Sequence, residues 1–142
     1  MTSVNAYLNF NGNCAEAFAF YRVAFGGEFS QLSKFGDMPT QPGMPELPES
    51  EKSKIMHISL PISQETVLMG SDTSEAFGHQ TVTGNNISIS INTSTKAEAD
   101  RLFQQLSEGG TVTMPLANTF WGAYFGMFTD KFDINWMINV DL

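Results

Sequence analysis

The chain is short of several residue types, and each shortage removes a class of function. It has one cysteine, Cys14, so no internal disulfide can form and a reducing cytoplasm is the expected location. With no motif around it, Cys14 reads as a packed thiol rather than a nucleophile. Two histidines, His57 and His79, leave no inventory for a His-rich metal centre. Charged residues make up 15% of the chain, with 15 acids against 7 bases and a net charge of −8. No three basic residues cluster, so nucleic acid and anionic membrane surfaces are excluded as expected partners. No apolar run approaches the roughly 20 residues that cross a bilayer. Met1-Thr2-Ser3-Val4-Asn5 lacks the basic and apolar blocks of a signal peptide.

What is present points to a packed globule. At 142 residues, 42% apolar and with 12 phenylalanines, the chain suits one domain with a workable core. It also repeats itself. Ala15-Glu16-Ala17 returns as Ala97-Glu98-Ala99, Gly26-Gly27 as Gly109-Gly110, and Asn5 as Asn86. Each copy opens with strict alternation, the mark of a strand with two different faces. Ala6, Leu8 and Phe10 oppose Asn5, Tyr7 and Asn9; Ile87, Ile89 and Ile91 oppose Asn86, Ser88, Ser90 and Asn92. A helix follows in both. Asn13 and Thr95 stand three residues before Glu16 and Glu98, the spacing of a capping box. Ala17, Phe20, Tyr21 and Ala24, like Ala99, Leu102, Phe103 and Leu106, fall at helical spacing. Each Gly-Gly pair then supplies a left-handed stop.

Further strands are expected near 28–35, 54–61 and 65–70, and near 110–116, 122–128 and 134–140. The fold class is therefore α+β, with tandem βαβββ modules at about 1–70 and 85–142 in a single domain, joined by a polar linker at 71–84. The stretch 36–50 holds four of the six prolines and reads equally as a lid over a pocket or a stiff surface insertion. His57 alternates with Ile55 and Ser59, away from Met56, Ile58 and Leu60, which places it on a polar strand face. It is the best candidate for a catalytic residue, as a general base, or for a ligand contact; a structural role is as well supported. His79 sits in a polar stretch and reads as exposed. Asp72 reads as the close of a local turn. Trp121, Phe125 and Trp136 could wall an apolar ligand or fill a core, and Met56, Met69, Met114, Met127 and Met137 read as adaptable packing.

A set of motifs sharpens this. Tyr7-Leu8-Asn9-Phe10, Gly12-Asn13-Cys14-Ala15-Glu16-Ala17, Phe20-Tyr21 and Phe25-Gly26 come first. Phe35-Gly36-Asp37-Met38-Pro39, Ile55-Met56-His57 and Met69-Gly70-Ser71-Asp72 follow. Thr119-Phe120-Trp121-Gly122, Thr129-Asp130-Lys131-Phe132 and Trp136-Met137-Ile138-Asn139 complete the order. The chain resembles the vicinal oxygen chelate superfamily of glyoxalase, bleomycin resistance and dioxygenase proteins. Within it, the resemblance is to the PhnB-like branch, also labelled 3-demethylubiquinone-9 3-methyltransferase-like. It departs from that pattern at Ala6, where many relatives carry Pro, and at Asp133, where they carry Gly; Asp can occupy a left-handed turn at some cost relative to Gly.

The resemblance implies glyoxalase/bleomycin-resistance-like half-barrels, a homodimer, and a cavity that in many relatives holds a divalent metal on His and Glu. The corresponding positions here are Asn5, Met69, Asn86 and Trp136, none a usual ligand for Zn, Ni, Fe or Mn. No metal and no cofactor are therefore expected. A methyltransferase of the common Rossmann kind needs a Gly-rich loop after a first strand, and Gly26-Gly27 ends a helix instead. The expected function is metal-independent binding of a small molecule by Asn5, Tyr7, His57, Asn86, Ser88, Trp121 and Trp136. The alternatives are a lyase, isomerase or dioxygenase whose metal is held by His57, Asp72 or Glu65, and a dimer with no ligand at all.

Overall fold

A computed structural model describes residues 2–39, 42–43, 46–74, 76, 78 and 80–142. The chain divides into two compact units, Met1–Val82 and Thr83–Leu142, each with one sheet and one long helix.

The first unit runs β1 (Tyr7–Phe10), α1 (Cys14–Phe25), β2 (Gln31–Lys34), a short 3-10 turn (Phe35–Asp37), α2 (Glu49–Lys52), β3 (Ile55–Pro61) and β4 (Val67–Asp72). Its sheet order is β1-β4-β3-β2, with β1 parallel to β4 and the other pairs antiparallel. The second unit runs β5 (Ile89–Asn92), α3 (Lys96–Ser107), β6 (Thr111–Asn118), β7 (Ala123–Thr129) and β8 (Asn135–Asp141), ordered β5-β8-β7-β6 with β5 parallel to β8. The internal repeat is thus a repeat of topology. Both helices have 12 residues, long enough to cross the sheet beneath each.

The elements differ from the expected ones in instructive places. β1 and β5 begin later than the alternation suggests, and Ile87, expected on an apolar face, lies outside β5 and is exposed. β4 runs through Ser71 and Asp72, two residues expected in the linker. The buried stripe of α1 is Cys14, Ala17, Phe18, Tyr21 and Ala24, so Phe18 takes the core place expected of Phe20. The α3 stripe, Ala99, Leu102 and Leu106, is as expected. Four residues of the 36–50 stretch, at 40, 41, 44 and 45, lie outside the described residues, as does His79.

The Gly-Gly stops act in two ways. Gly26 has a φ of 79° and its N–H returns to the Arg22 carbonyl, and Gly109 has a φ of 78°; both are left-handed positions that suit glycine. Gly110 is needed for space: a Cβ there would stand 2.1 Å from the Thr129 carbonyl oxygen.

Candidate functional site

Which sheet face is open follows from what packs on the helix. A Cβ on Gly70 would meet Phe18 of α1 at 2.6 Å, and Phe10 packs edge-on against the same ring. Gly70 pairs with Ile58 and Leu8, so these residues face α1. Strand alternation sends their neighbours to the opposite side. Two rows cross that open face. One joins Tyr7, Met69, Ser59 and Gln31; the other joins Asn9, Ser71, His57 and Ser33.

At its centre lies a hydrogen-bonded chain. The Tyr7 hydroxyl meets His57 Nδ1 at 3.2 Å, and His57 Nε2 meets Ser59 Oγ at 2.8 Å. The tyrosine ring tilts over the imidazole at 5.6 Å between centroids. Both ring nitrogens are engaged, so the imidazole orientation is fixed from two sides. Beside it, Ser71 Oγ donates to Asn9 Oδ1 at 3.3 Å. Tyr7 is 44% exposed and Ser59 buried, which makes the phenol the outer end of the chain and the serine its inner end. The alternation expected around His57 breaks at a register shift between Ser33 and Lys34, where Lys34 pairs with Ile55. This bulge buries Ile55, which was expected beside His57.

Asn5 plays a structural part. Its Oδ1 accepts the Val67 N–H at 3.1 Å, closing the end of β4 beyond β1. Asp72 is the larger surprise. It closes no local turn. Its Oδ1 accepts the N–H groups of Gly12 and Cys14 at 3.0 and 2.9 Å, and its Oδ2 accepts that of Ile55 at 2.9 Å. A buried carboxylate from β4 therefore caps α1 and pins β3. Asn13 makes no side-chain cap, because the acceptor its helix needs comes from the sheet. In the second unit the local cap forms as expected, with Thr95 Oγ1 accepting the Glu98 N–H.

Burial pushes the Cys14 thiol far above its ordinary pKa, and the Asp72 carboxylate adds to the rise. The folded state then holds a proton that the unfolded chain releases above about pH 9. Stability should fall as pH climbs past that value. Native protein at pH 8 should also leave Ellman's reagent unreacted until urea is added; stoichiometric reaction in the native state would show an accessible thiol.

In the second unit, Phe128 packs on Phe103 of α3 with ring centroids 5.0 Å apart. Trp136 pairs with Phe128 and so lies on the helix-covered face. It is 0% exposed, and its Nε1 donates to Asp130 Oδ2 at 2.8 Å. Asp130 Oδ1 accepts from Phe132 and Ile134 N–H, which binds the β7–β8 turn where Asp133 takes a φ of 68°. Trp136, expected as a ligand contact, is a core residue with no surface to offer. Asn86 is exposed ahead of β5, and Ser88 is half-buried just before it. The open face of this sheet carries Ser90, Met137, Met127 and Met114 in one row and Asn92, Asn139 and Phe125 in the next. These three methionines are on that face, not packed against α3. Trp121, 57% exposed, packs edge-on against Phe125 from the β6–β7 hairpin tip.

The metal implied by the resemblance does not fit these residues. Of the four corresponding positions, Asn5 spends its oxygen on Val67, Trp136 is committed to Asp130, and Met69 and Asn86 are poor ligands for hard divalent ions. Among the described residues no three His, Cys, Asp or Glu side chains gather as a metal site. Of the residues that matter most, the roles of Ser59 as hydrogen-bond partner of His57 and of Asp130 as partner of Trp136 were not anticipated from the sequence. Ser59 was legible as the i+2 neighbour of His57.

Comparison with known proteins agrees with the architecture. The family model described as 3-demethylubiquinone-9 3-methyltransferase matches residues 2–139. Protein YjdN of Escherichia coli K12 is 30% identical, with 96% of this chain and 94% of YjdN covered. The crystal structure of protein PA1353 from Pseudomonas aeruginosa superposes with a TM-score of 0.81 at 44% identity, covering 99% and 98% of the two chains. A glyoxalase/bleomycin resistance protein/dioxygenase family enzyme from Burkholderia phytofirmans has the same fold, with a TM-score of 0.59 at 17% identity, covering 98% of this chain and all of its own. Two βαβββ units, the match across nearly the whole chain and these relatives together place the protein in the family described as 3-demethylubiquinone-9 3-methyltransferase.

Proposed function

We propose that this protein binds a small molecule without a metal, as a cytoplasmic homodimer. The observation that carries the reading is the Tyr7–His57–Ser59 chain on an open sheet face. Convergent polar groups beside half-exposed apolar ones are what small-molecule sites use for orientation. Asn9 and Ser71 extend the polar surface, and Met69 supplies an adaptable apolar one. The β6–β7 hairpin tip supports a dimer: Phe120 is 98% exposed beside Trp121, an apolar pair that a single chain leaves in water. Methyl transfer is outside this reading, since Gly26-Gly27 follows α1 rather than forming a cofactor loop after a strand.

The test is a thermal-shift screen of untagged, chelator-treated protein against catechols, dicarbonyl adducts, phosphonates and glycopeptides. One chemical class should raise Tm, because a ligand at about 100 times its Kd adds roughly 2.7 kcal/mol. The shift should survive chelation and vanish in His57→Gln. A shift that appears on adding a divalent metal and persists in His57→Gln would contradict the proposal.

A further inference from the structure

We infer that the open face of the first sheet selects an uncharged ligand that both donates and accepts hydrogen bonds; this rests on the binding reading above. The chain carries a net charge of −8, yet neither row across this face contains an Asp, Glu, Lys or Arg. A charged ligand would lose water here with no counter-ion to meet it, which costs more than burying a neutral group.

The groups that are present have no fixed polarity. With His57 Nε2–H donating to Ser59 Oγ, Nδ1 accepts from the Tyr7 hydroxyl, and the phenol oxygen is left to accept from a ligand. With the other tautomer, Ser59 donates to Nε2, Nδ1–H donates to the Tyr7 oxygen, and the phenol proton is free for the ligand. The contacts of 3.2 and 2.8 Å serve both directions. Ser71 and Asn9, joined at 3.3 Å, also offer both donors and acceptors. One site can therefore satisfy a hydroxyl or a carbonyl without a change of charge, and neither row offers a carboxylate, ammonium or guanidinium to set against an ion.

A matched series isolates this property: 3-hydroxybenzamide, 3-hydroxybenzoate and 3-hydroxybenzylamine share a ring and a hydroxyl and differ in charge. Each is titrated into the whole protein while the His57 ring signal is followed by NMR, assigned with His57→Gln and with the His79 signal as internal control. The amide should shift the His57 signal saturably, at least about tenfold more tightly than either ion. Tyr7→Phe should weaken the amide by about tenfold, the loss expected for a hydrogen-bonding group in a desolvated site. Tighter binding by the benzoate or the benzylamine overturns the inference, as does a His57 signal silent to the amide. The broader binding reading fails separately, when no compound of any class in the thermal screen raises Tm.

Discussion

Replacing Asp72 by Ala should lower the unfolding free energy by about 3–5 kcal/mol. The buried carboxylate accepts three backbone N–H groups, from Gly12, Cys14 and Ile55. Hydrogen bonds to an ionised acceptor are worth roughly 1.5–3 kcal/mol each, and a buried donor left unpaired costs its full desolvation. Removing the carboxylate orphans all three at once. It also removes the negative charge from the α1 N-terminus, where the helix dipole favours it. Asp72→Asn should cost about 2 kcal/mol, since the amide keeps one acceptor oxygen and turns an NH2 toward the other donors. Urea titration followed by far-UV ellipticity measures both. A loss below about 1 kcal/mol for the alanine variant would show that this carboxylate does not hold the helix and sheet together.

Trp136→Ala should cost about 3–5 kcal/mol, the range for deleting a fully buried aromatic. The indole has no exposed surface and also donates to Asp130 Oδ2. Trp136→Phe fills most of the space but leaves that oxygen without the indole N–H, at about 1–2 kcal/mol. The remaining tryptophan, Trp121, lies in the same unit, so its fluorescence follows the unfolding. Ligand affinity should be unchanged in Trp136→Phe. A near-wild-type stability with lost binding would instead place this side chain in a ligand site.

These two residues show what the sequence could and could not say. The twofold plan was legible because alternation, cap, helix and Gly-Gly stop recur in order, and each leaves a local mark. The side of β8 was also legible. Trp136 alternates with Ile138 and Val140, against Asn135, Met137 and Asn139, and that pattern alone assigns the indole to the core. The correspondence with metal-ligand positions in relatives implies the opposite face, because a one-residue choice of register reverses a whole strand. Asp72 was a different case. Its donors Gly12 and Cys14 lie 60 and 58 residues away, and nothing in Met69-Gly70-Ser71-Asp72 announces them. Asn13 looked like a cap because its type and spacing were right, but the sheet supplied a stronger acceptor. Of the candidate site, Tyr7 and His57 were readable from strand alternation. Their direct contact was not, because it needs the β1-β4-β3 order to bring them near each other.

The measurement that bears most directly on a metal-free binding face is a crystal structure of chelator-treated protein with the most stabilising compound from the thermal screen. The compound should lie on the open face of the first sheet, hydrogen-bonded to Tyr7 or His57, with no metal within coordinating distance. A metal ion bridging protein and compound, or a compound seated away from Tyr7, His57 and Ser59, would contradict the account.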